Sequence, residues 1–432
     1  MIAISEPLSE ERAFLASLFR AAVAAAHPGL AIPAHLPPRP RGRTIVVGAG
    51  KASAQMAQAL ERAWDSPLEG AVVTRYHYGC ACERVEVLEA AHPVPDEAGL
   101  AATRRMVDLV SGATPDDLVI ALVSGGGSAL LPAPPPGLDL SDEMALNDAL
   151  LRSGAPIGAM NTLRKHVSAV KGGRLAALSR APVVSLILSD IPGDAPHLVA
   201  SGPTVPDPAT RADALRIVDE YRLALPPRVL AHLASPDADA PLPGDARFSG
   251  HAHRVVASAG LSLDAAAAEA GRLGVPAVIL SDAIEGEARD IGLMHAALSR
   301  EVTERDRPFR KPVVILSGGE TTVTMRAPAA GGQAGGRGGR NAEFLLSFAL
   351  AIEGLGGIAA LAADTDGIDG SESNAGAFAD GATATAIRAA GLDPRALLLG
   401  NDSYTAFAGV GALFDTGPTG TNVNDFRAIL VR

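Results

Sequence analysis

Short apolar runs alternate along the chain with stretches of helical character that are rich in alanine and leucine. Several runs are apolar at every position instead of alternating with polar residues, which is typical of strands buried on both faces of a sheet. The runs are residues 44–47, 71–74, 85–88, 118–123, 183–188, 254–257, 277–280, 313–316 and 428–431. The clearest helical stretches are residues 53–63, 262–273 and 341–352. This pattern predicts an α/β protein.

Two domains are predicted from the length of the chain and from one turn-rich segment. The chain has 432 residues, enough for about two or three domains of roughly 100–200 residues each. Repeated Pro, Asp, Gly and Ala at 224–250 indicate a linker, so we expect domains at 1–240 and 241–432. The first is expected to be a Rossmann-like, mostly parallel sheet with helices on both faces, and the second a mixed α/β domain. The glycine-rich residues 327–339 are expected to form a mobile loop.

The composition narrows the classes of partner. The net charge of −11 argues against nucleic acid or an anionic membrane surface as the main partner, and 3% aromatic residues are too few for base-stacking platforms. No apolar run approaches the ~18–20 residues that span a bilayer, and the N-terminus lacks the pattern of a secretory signal. We therefore expect a cytoplasmic monomer or homodimer that binds small molecules, with Cys80 and Cys82 as reduced thiols.

Small-residue turns directly follow three of the apolar runs. A buried strand that ends in glycine lets backbone N–H groups face an anion, often at the start of the next helix. Three such turns in one chain predict a protein that binds phosphate or carboxylate groups. The candidate binding residues in these turns are Gly48, Gly50, Ser124, Gly125, Gly126, Gly127, Ser128, Ser317, Gly318, Gly319 and Glu320.

The first turn, Gly48–Ser53, starts like a dinucleotide fingerprint but departs from it twice. Its sixth position is serine, and Ala71–Arg75 stands where an acidic residue is expected about 20 positions later. It also lacks the residue spacing of a P-loop. What remains is Lys51 on a tight turn at the start of a helix, where an ammonium group suits an anionic oxygen. An exposed loop lysine is the alternative interpretation.

A basic segment, Met160–Leu175, is predicted to form one helix. In a helix, Arg164, Ser168 and Lys171 would share a face, because they are spaced at i, i+4 and i+7. Such a face would clamp a carboxylate. A solvated basic surface is the alternative.

Carboxylates cluster at two places. Asp190 and Asp194 directly follow a predicted strand, at the end where open α/β sheets bind ligands. They suit Mg²⁺, which takes one or two carboxylates together with phosphate oxygens, although an aspartate-stabilised turn is the alternative. The second place is Asp364–Gly370, whose spacing does not match a calcium-binding EF-hand.

Arg340 and Asn341 follow the glycine-rich loop at the start of a predicted helix, with Asn341 as the expected N-cap. A flexible glycine-rich loop, a helix N-terminus and a guanidinium group together are suited to binding a phosphoryl group during its transfer. A flexible surface loop is the alternative.

Taken in order, these segments resemble the class II (MOFRL-type) glycerate 2-kinase family over nearly the whole chain. Two departures are Ala342, where the family usually has glutamine, and Asp364, where it often has glycine. The motifs that carry the resemblance are Gly48–Ala52, Val123–Ala129, Asn161–His166, Lys171–Leu175, Ser189–Asp194, Ser201–Thr204, Ser317–Thr322, Gly338–Asn341, Thr365–Gly370 and Thr419–Asp425.

The resemblance implies a kinase that uses ATP and Mg²⁺ to convert D-glycerate to 2-phosphoglycerate. It implies a glycerate kinase domain and a MOFRL-type domain, with the active site in the cleft between them. The family's functionally important lysine and arginine fall on Lys51 and Arg340. We expect these two and Asp190 to be catalytic, with Asp190 and Asp194 as the metal ligands. Further expected binding residues are Arg164, Lys171, Asn341, Thr365 and Asp366.

Two other functions stay open at this point. Some members of the family carry the label hydroxypyruvate reductase, so an NAD(P)H-dependent reductase is the first alternative. The two departures in the turn at Gly48–Ser53 weigh against it. The second alternative is an acid-binding regulator without turnover.

Overall fold

The structure, a computed structural model, describes residues 9–325 and 336–432. These residues divide into two compact units. We call residues 28–257 the Rossmann-like unit. The mixed-sheet unit consists of the segment that ends at His27 together with residues 258–432. Most of the loop expected at 327–339 lies outside the described residues.

The helices and strands alternate along most of the chain. The helices are α1 (Glu10–Ala26), α2 (Pro28–Ala31), α3 (Ser53–Ala63), α4 (Glu97–Ser111), α5 (Gly127–Leu130), α6 (Leu140–Ser153), α7 (Ile157–His166), α8 (Arg174–Ala177), α9 (Arg211–Glu220), α10 (Pro227–Ala234), α11 (Ala259–Arg272), α12 (Ala288–Arg305), α13 (Arg340–Ala351), α14 (Thr383–Ala389), α15 (Pro394–Leu399) and α16 (Ser403–Ala408). The strands are β1 (Thr44–Ala49), β2 (Glu69–Arg75), β3 (Val85–Ala90), β4 (Leu118–Ser124), β5 (Val183–Leu188), β6 (Ala252–Ala257), β7 (Ala277–Ile279), β8 (Ile284–Glu287), β9 (Val313–Thr322), β10 (Ile358–Asp364), β11 (Gly376–Asp380), β12 (Leu413–Phe414) and β13 (Asp425–Val431). Among the described residues no single helix is long and apolar enough to cross a membrane, although Glu10–Ala26 and Pro28–His35 would pass together on length and composition.

The Rossmann-like unit is built on six parallel strands in the order β3-β2-β1-β4-β5-β6. Every residue of β1 is buried. Ile45 and Val47 share a core cluster with Met106 of α4, and Val46, which alternates with them, is equally buried. The strand is therefore covered on both faces, as its continuous apolar run predicts.

The described residues of the mixed-sheet unit form seven strands in the order β12-β11-β10-β13-β9-β7, with β8 beside β9. Strand β13 lies antiparallel between β10 and β9, whereas β7 and β8 pair with β9 in parallel. Val314 and Leu430 pack with α1 and α11, while Val313 and Val431 pack with α12 and α13. Helices thus cover both faces of this sheet as well, which confirms the predicted α/β class.

The N-terminal helix belongs to the mixed-sheet unit. Phe19 of α1 packs edge-to-face on Phe414 and Phe426, with ring centroids 5.1 and 5.6 Å apart. At the other boundary, β6 pairs with β5, so residues 241–257 lie in the Rossmann-like unit. The boundary between the units therefore differs from the one expected at 240/241. It is determined by sheet pairing and core packing, and the turn-rich composition of the preceding segment does not mark it.

Candidate active site

The Rossmann-like sheet reverses its order between β1 and β4, and the loops that follow these two strands meet there. Lys51 N–H donates to the Gly125 carbonyl (2.8 Å), and Ala52 N–H donates to Ser124 Oγ (3.0 Å). Gly50 has a φ of 135°, and a side chain there would overlap Ser124. Open α/β sheets bind ligands at this kind of crevice, outside the carboxyl ends of the strands.

The loop after β1 is not an anion-binding turn, which corrects the expectation for Gly48 and Gly50. Gly48 lies inside β1, where a Cβ would collide with the Leu122 carbonyl of β4. The next N–H groups already have acceptors: Gly50 donates to Val73 O (3.2 Å) and Ser53 to Gly50 O (3.2 Å). The N–H groups of Lys51 and Ala52 also have acceptors. Gly48 and Gly50 therefore allow close packing against β4 and the loop that follows it, and they do not present free N–H groups to a phosphate.

The turn from β4 into α5, which we call the open turn, is Gly126–Ser128 and includes the first two residues of α5. Gly126 has a left-handed φ of 79°, a conformation that places successive N–H groups on one side of the backbone. The N–H groups of Gly126, Gly127 and Ser128 donate no hydrogen bond to any residue that the structure describes. The Ser124 hydroxyl is already engaged by Ala52. The open turn therefore offers unused backbone donors to an anion.

Lys51 and His92 flank the open turn. A Cβ placed on Gly126 would lie 3.2 Å from Lys51 Cγ and 3.1 Å from His92 Nε2. Burial, Lys51 and Arg75 together lower the pKa of His92 to about 4. The imidazole is therefore neutral at pH 7, and the lysine supplies positive charge to the crevice.

Asp190 reaches the same crevice from the loop after β5. A Cβ on Gly125 would overlap its carboxylate, so glycine is required for this approach. Asp194 sits four residues on in a turn, where its N–H donates to Ile191 O (3.1 Å). Carboxylate oxygens beside an anion-binding turn are a donor set that Mg²⁺ accepts, since it needs only one or two carboxylates besides phosphate and water. The described residues contain no group of three His, Cys, Asp or Glu side chains arranged for a metal ion.

A hydrogen-bonded network connects the open turn to Arg164. Ser128 Oγ lies 2.7 Å from Ser201 Oγ, which donates to Asn161 Oδ1 (3.1 Å). Arg164 donates to the same amide oxygen (3.3 Å) and to Asn147 Oδ1 (2.9 Å). Burial lowers the pKa of Arg164, and the charge of Glu143 partly opposes that shift, although no carboxylate in the described parts of the chain forms an ion pair with it. Arg164 is thus a partly buried cation whose side-chain hydrogen bonds go to two amide oxygens.

Lys171 does not share a helical face with Arg164, which corrects the prediction for the basic segment. Helix α7 ends at His166, and Gly172 and Gly173 turn the chain with φ of 63° and 83°. Lys171 Nζ is buried and pairs with Glu143 Oε1 at 2.5 Å. A buried ion pair of this kind is structural, because separating it would leave an uncompensated charge inside the protein.

In the mixed-sheet unit, Arg340 is surrounded by carboxylates. Its guanidinium contacts Asp425 (2.5 Å), Asp364 (2.8 Å) and Glu320 (3.1 Å). Burial acts to lower the pKa of Arg340, but these three carboxylates outweigh it and raise the pKa. Glu320 is the one exposed partner of the three, with 55% of its side chain accessible.

The acidic segment Asp364–Gly370, at the end of β10, provides Asp364 as a partner of Arg340. Burial and the neighbouring Asp366 raise the pKa of Asp364 well above its usual value, against the opposite effect of Arg340. Asp366 Oδ1 accepts from Ile368 N–H (2.8 Å). The Thr365 hydroxyl donates to Asn424 O and accepts from Val423 N–H, so it closes a turn and is not available to a ligand.

Asn341 is not the N-cap of α13, contrary to expectation. The cap residue is Gly339, and Asp369 Oδ1 and Oδ2 accept from the N–H groups of Asn341 (3.0 Å) and Ala342 (2.8 Å). The fully buried Asn341 amide donates to Asp425 Oδ1 (2.9 Å). A carboxylate distant in sequence thus replaces the expected local cap.

Ser317, Gly318 and Gly319 do not form a turn after a strand. Strand β9 continues through them to Thr322, because Gly318 and Gly319 pair with Phe426 and Asp425 of β13. The Ser317 hydroxyl is buried against His295 Nε2 (3.0 Å). These three residues belong to the sheet. Of the four residues expected in this turn, the exposed Glu320 is the one whose side chain contacts Arg340.

Sequence reasoning does not single out three residues of the crevice: His92, Asn161 and Ser201. Asn161 and Ser201 each begin a motif that carries the family resemblance, which was the signal available for them. His92 follows β3, at the edge of the sheet, and only the tertiary structure brings it to the open turn.

Comparison with known proteins matches two family profiles. The domain of unknown function DUF4147 matches residues 14–234, and the MOFRL family matches residues 313–425. A protein of Agrobacterium vitis with the provisional name hydroxypyruvate reductase is 51% identical over 97% of this chain and 94% of its own. A glycerate 2-kinase of Pyrococcus horikoshii is 40% identical over 90% of this chain and 88% of its own.

The solved structures agree with the sequence matches. The crystal structure of a glycerate kinase from Thermotoga maritima superimposes with a TM-score of 0.88 at 37% identity, covering 98% of this chain and all of that chain. The likeness spans both units. The chain belongs to the class II, MOFRL-type glycerate 2-kinase family.

Proposed function

We propose that this protein transfers the γ-phosphoryl group of ATP to the 2-hydroxyl of D-glycerate, giving 2-phosphoglycerate and ADP. Relatives named glycerate 2-kinase support the reaction. The observation that carries the proposal is the open turn Gly126–Ser128 with Lys51 beside it, at the switch point of the Rossmann-like sheet. The cytoplasm remains the expected compartment.

The open turn is proposed to hold the substrate carboxylate. Backbone N–H groups bind an anion without adding a mobile charge, and those of Gly126–Ser128 lack acceptors within the described chain. Arg164 adds a positive charge near the turn, to which it is connected by hydrogen bonds through Asn161, Ser201 and Ser128. An anchored carboxylate distinguishes the 2-hydroxyl from the 3-hydroxyl, because only one of them then reaches the phosphoryl donor.

Lys51 is proposed to neutralise charge on the transferring phosphoryl group. Little covalent chemistry is required of the protein in such a transfer, since positioning and charge neutralisation carry it. Asp190 and Asp194 would hold the Mg²⁺ that accompanies ATP and offsets its phosphate charge. The Lys51 stem lies beside Gly126 and the Asp190 carboxylate beside Gly125, and the two residues come from loops that follow different strands of one sheet.

Arg340 is proposed as a second positive charge for the phosphoryl group. Its partners Asp425 and Asp364 are buried and fix the guanidinium, whereas Glu320 is exposed. A phosphoryl oxygen would replace Glu320 at Nη1 with the least disturbance. The meeting of Lys51 and Arg340 in one cleft stays a prediction from the sequence.

The alternative function is reduction of hydroxypyruvate with NAD(P)H. The strand order and the provisional name of the Agrobacterium relative favour it. The loop after β1 argues against it: a dinucleotide fold binds pyrophosphate on free N–H groups there, and here those groups already have acceptors.

One pair of assays separates these functions. The purified protein is incubated with D-glycerate, ATP and Mg²⁺ while ADP release is followed, and separately with hydroxypyruvate and NADH or NADPH while absorbance at the nicotinamide band is followed. We expect glycerate-dependent ADP release and no nicotinamide oxidation. Nicotinamide oxidation without ADP release would establish the reductase. The absence of both signals would favour a binding protein without turnover.

A further inference from the structure

The ring of His92 lies beside Gly126 of the open turn. It follows β3, two strands away from the switch point, yet its ring reaches Gly126, where a Cβ would lie 3.1 Å from Nε2 and 3.3 Å from Cδ2. Neither ring nitrogen hydrogen-bonds to any residue that the structure describes. The imidazole is half-buried and thus remains accessible to a ligand.

The surroundings of His92 keep the imidazole uncharged in the free protein. The charged groups that lower its pKa are Lys51 on the loop after β1 and Arg75 at the end of β2, in addition to burial. A neutral imidazole offers one acceptor nitrogen and one donor. A carboxylate on the open turn and phosphates at Lys51 would offset the two cations, so the acceptor nitrogen gains basicity when both substrates are bound.

We propose that His92 Nε2 accepts a hydrogen bond from the 2-hydroxyl of glycerate and takes its proton during transfer. This inference rests on the proposed kinase function. The hydroxyl oxygen forms a bond to the γ-phosphorus, the bond between that phosphorus and the β–γ bridging oxygen breaks, and ADP leaves with the electron pair. The proton passes to His92 and then to solvent. Because the ring sits over the open turn, it also selects which hydroxyl of the anchored substrate reacts.

The test compares His92→Leu and His92→Gln with the wild-type protein. His92→Gln keeps a polar atom within reach of the hydroxyl, and His253→Gln, at an exposed histidine of β6, is the matched control. We measure kcat and KM for D-glycerate and ATP separately, and the ratio of 2- to 3-phosphoglycerate in the product. Thermal unfolding confirms that each variant is folded.

We expect His92→Leu to lower kcat/KM for glycerate by about 10²- to 10⁴-fold, the usual size of a general-base contribution. The KM for ATP should change by less than about 2-fold, because His92 does not contact the nucleotide in this account. His92→Gln should retain part of the activity, and 3-phosphoglycerate should become detectable in the leucine variant. His253→Gln should match the wild type.

Three results would overturn the inference. If the wild type makes 2-phosphoglycerate and either His92 variant keeps its full glycerate kcat/KM with an unchanged product, His92 is not the acceptor. If the KM for ATP rises as much as that for glycerate, His92 belongs to the nucleotide site. If the wild type makes no phosphoglycerate at all, the proposed function fails first and this inference fails with it. If His92→Leu does not fold, His92→Gln decides alone.

Discussion

At the scale of single residues, the crevice is organised around two positions that lack side chains. Gly125 admits the Asp190 carboxylate, and Gly126 admits the Lys51 stem and the His92 ring. Three groups of different chemistry therefore approach one short stretch of backbone. The sequence predicts Lys51, Gly125, Gly126 and Asp190 as neighbours of an anion site, because each directly follows an apolar run, and that role stays a prediction.

Replacing Gly126 by alanine tests the carboxylate anchor. The new Cβ would meet His92 and Lys51 at 3.1–3.3 Å, at a φ of 79° that disfavours side chains. We expect the KM for glycerate to rise at least about 10-fold, since the loss of roughly 1.4 kcal/mol of binding suffices, while the KM for ATP stays nearly constant. The control is Gly137→Ala, which has a φ of 88° and open space around it. An unchanged glycerate KM would move the anchor elsewhere.

Lys51→Met and Arg340→Met test the two charges proposed for the phosphoryl group. Removing one preorganised charge typically costs a few kcal/mol of transition-state stabilisation, or about 10²- to 10³-fold in turnover. We expect that loss in kcat for each variant, measured by ADP release at saturating substrates. Arg39→Ala, at an exposed arginine that pairs with the exposed Asp65, should leave kcat unchanged. Near-normal turnover of Lys51→Met would exclude the role assigned to it.

At the scale of elements, most strands follow from the sequence and a few do not. All nine apolar runs lie within or largely overlap strands of the structure. Strands β8, β10, β11 and β12 were not predicted. The run Ile358–Asp364 is largely alanine, which favours helix locally, and it becomes β10 only because β11 and β13 pair with it from distant parts of the chain.

The N-terminal helix α1 supplies a stability prediction. Phe19 is 1% exposed and packs on Phe414 and Phe426. Phe19→Ala removes a buried aromatic ring, and we expect the free energy of unfolding to fall by about 3–5 kcal/mol, as measured by urea denaturation. Leu30→Ala, at a side chain that is 63% exposed, should change it by less than about 0.5 kcal/mol. Equal effects of the two substitutions would contradict the packing of α1.

The start of α13 supplies a pH-dependent prediction. Burial raises the pKa of Asp369 from 3.8 to about 6, although the Asn341 and Ala342 N–H groups oppose the shift. A raised pKa in the folded state adds stability that is present below about pH 3.8 and is lost as the pH rises through about 6. Relative to Asp369→Asn, the wild type should lose on the order of 1–3 kcal/mol of unfolding free energy between pH 4 and 7.

The measurement for Asp369 is chemical denaturation of both proteins across that pH range. Asp237→Asn, at an exposed aspartate, is the control and should follow the wild type at every pH. A difference between wild type and Asp369→Asn that stays constant with pH would show that the carboxyl group does not titrate in this window.

At the scale of the whole molecule, the sequence identifies the family and the fold class but not the division into units. The order of motifs from Gly48 to Asp425 was sufficient for the family, which the comparisons confirm. The unit boundaries depend on contacts between segments that are far apart in sequence, such as α1 with the sheet of the mixed-sheet unit. Composition along the chain does not report such contacts.

The same limit applies to the candidate site. Residues that follow apolar runs were predicted, because a strand end is visible in a sequence. The pairing of Lys171 with Glu143 and the carboxylates around Arg340 were not predicted, because each partner is distant in sequence. Whether a basic residue faces a ligand or an internal carboxylate is decided by the tertiary structure.

The identity of the reaction can be read from its product by ³¹P NMR. Wild-type protein is incubated with D-glycerate, ATP and Mg²⁺, and the phosphorus resonances of 2- and 3-phosphoglycerate are resolved against authentic standards, with Lys51→Met run in parallel. We expect the signals of 2-phosphoglycerate and ADP to grow together in the wild type and to be strongly reduced in the variant. Formation of 3-phosphoglycerate alone, or no phosphoglycerate at all, would contradict it.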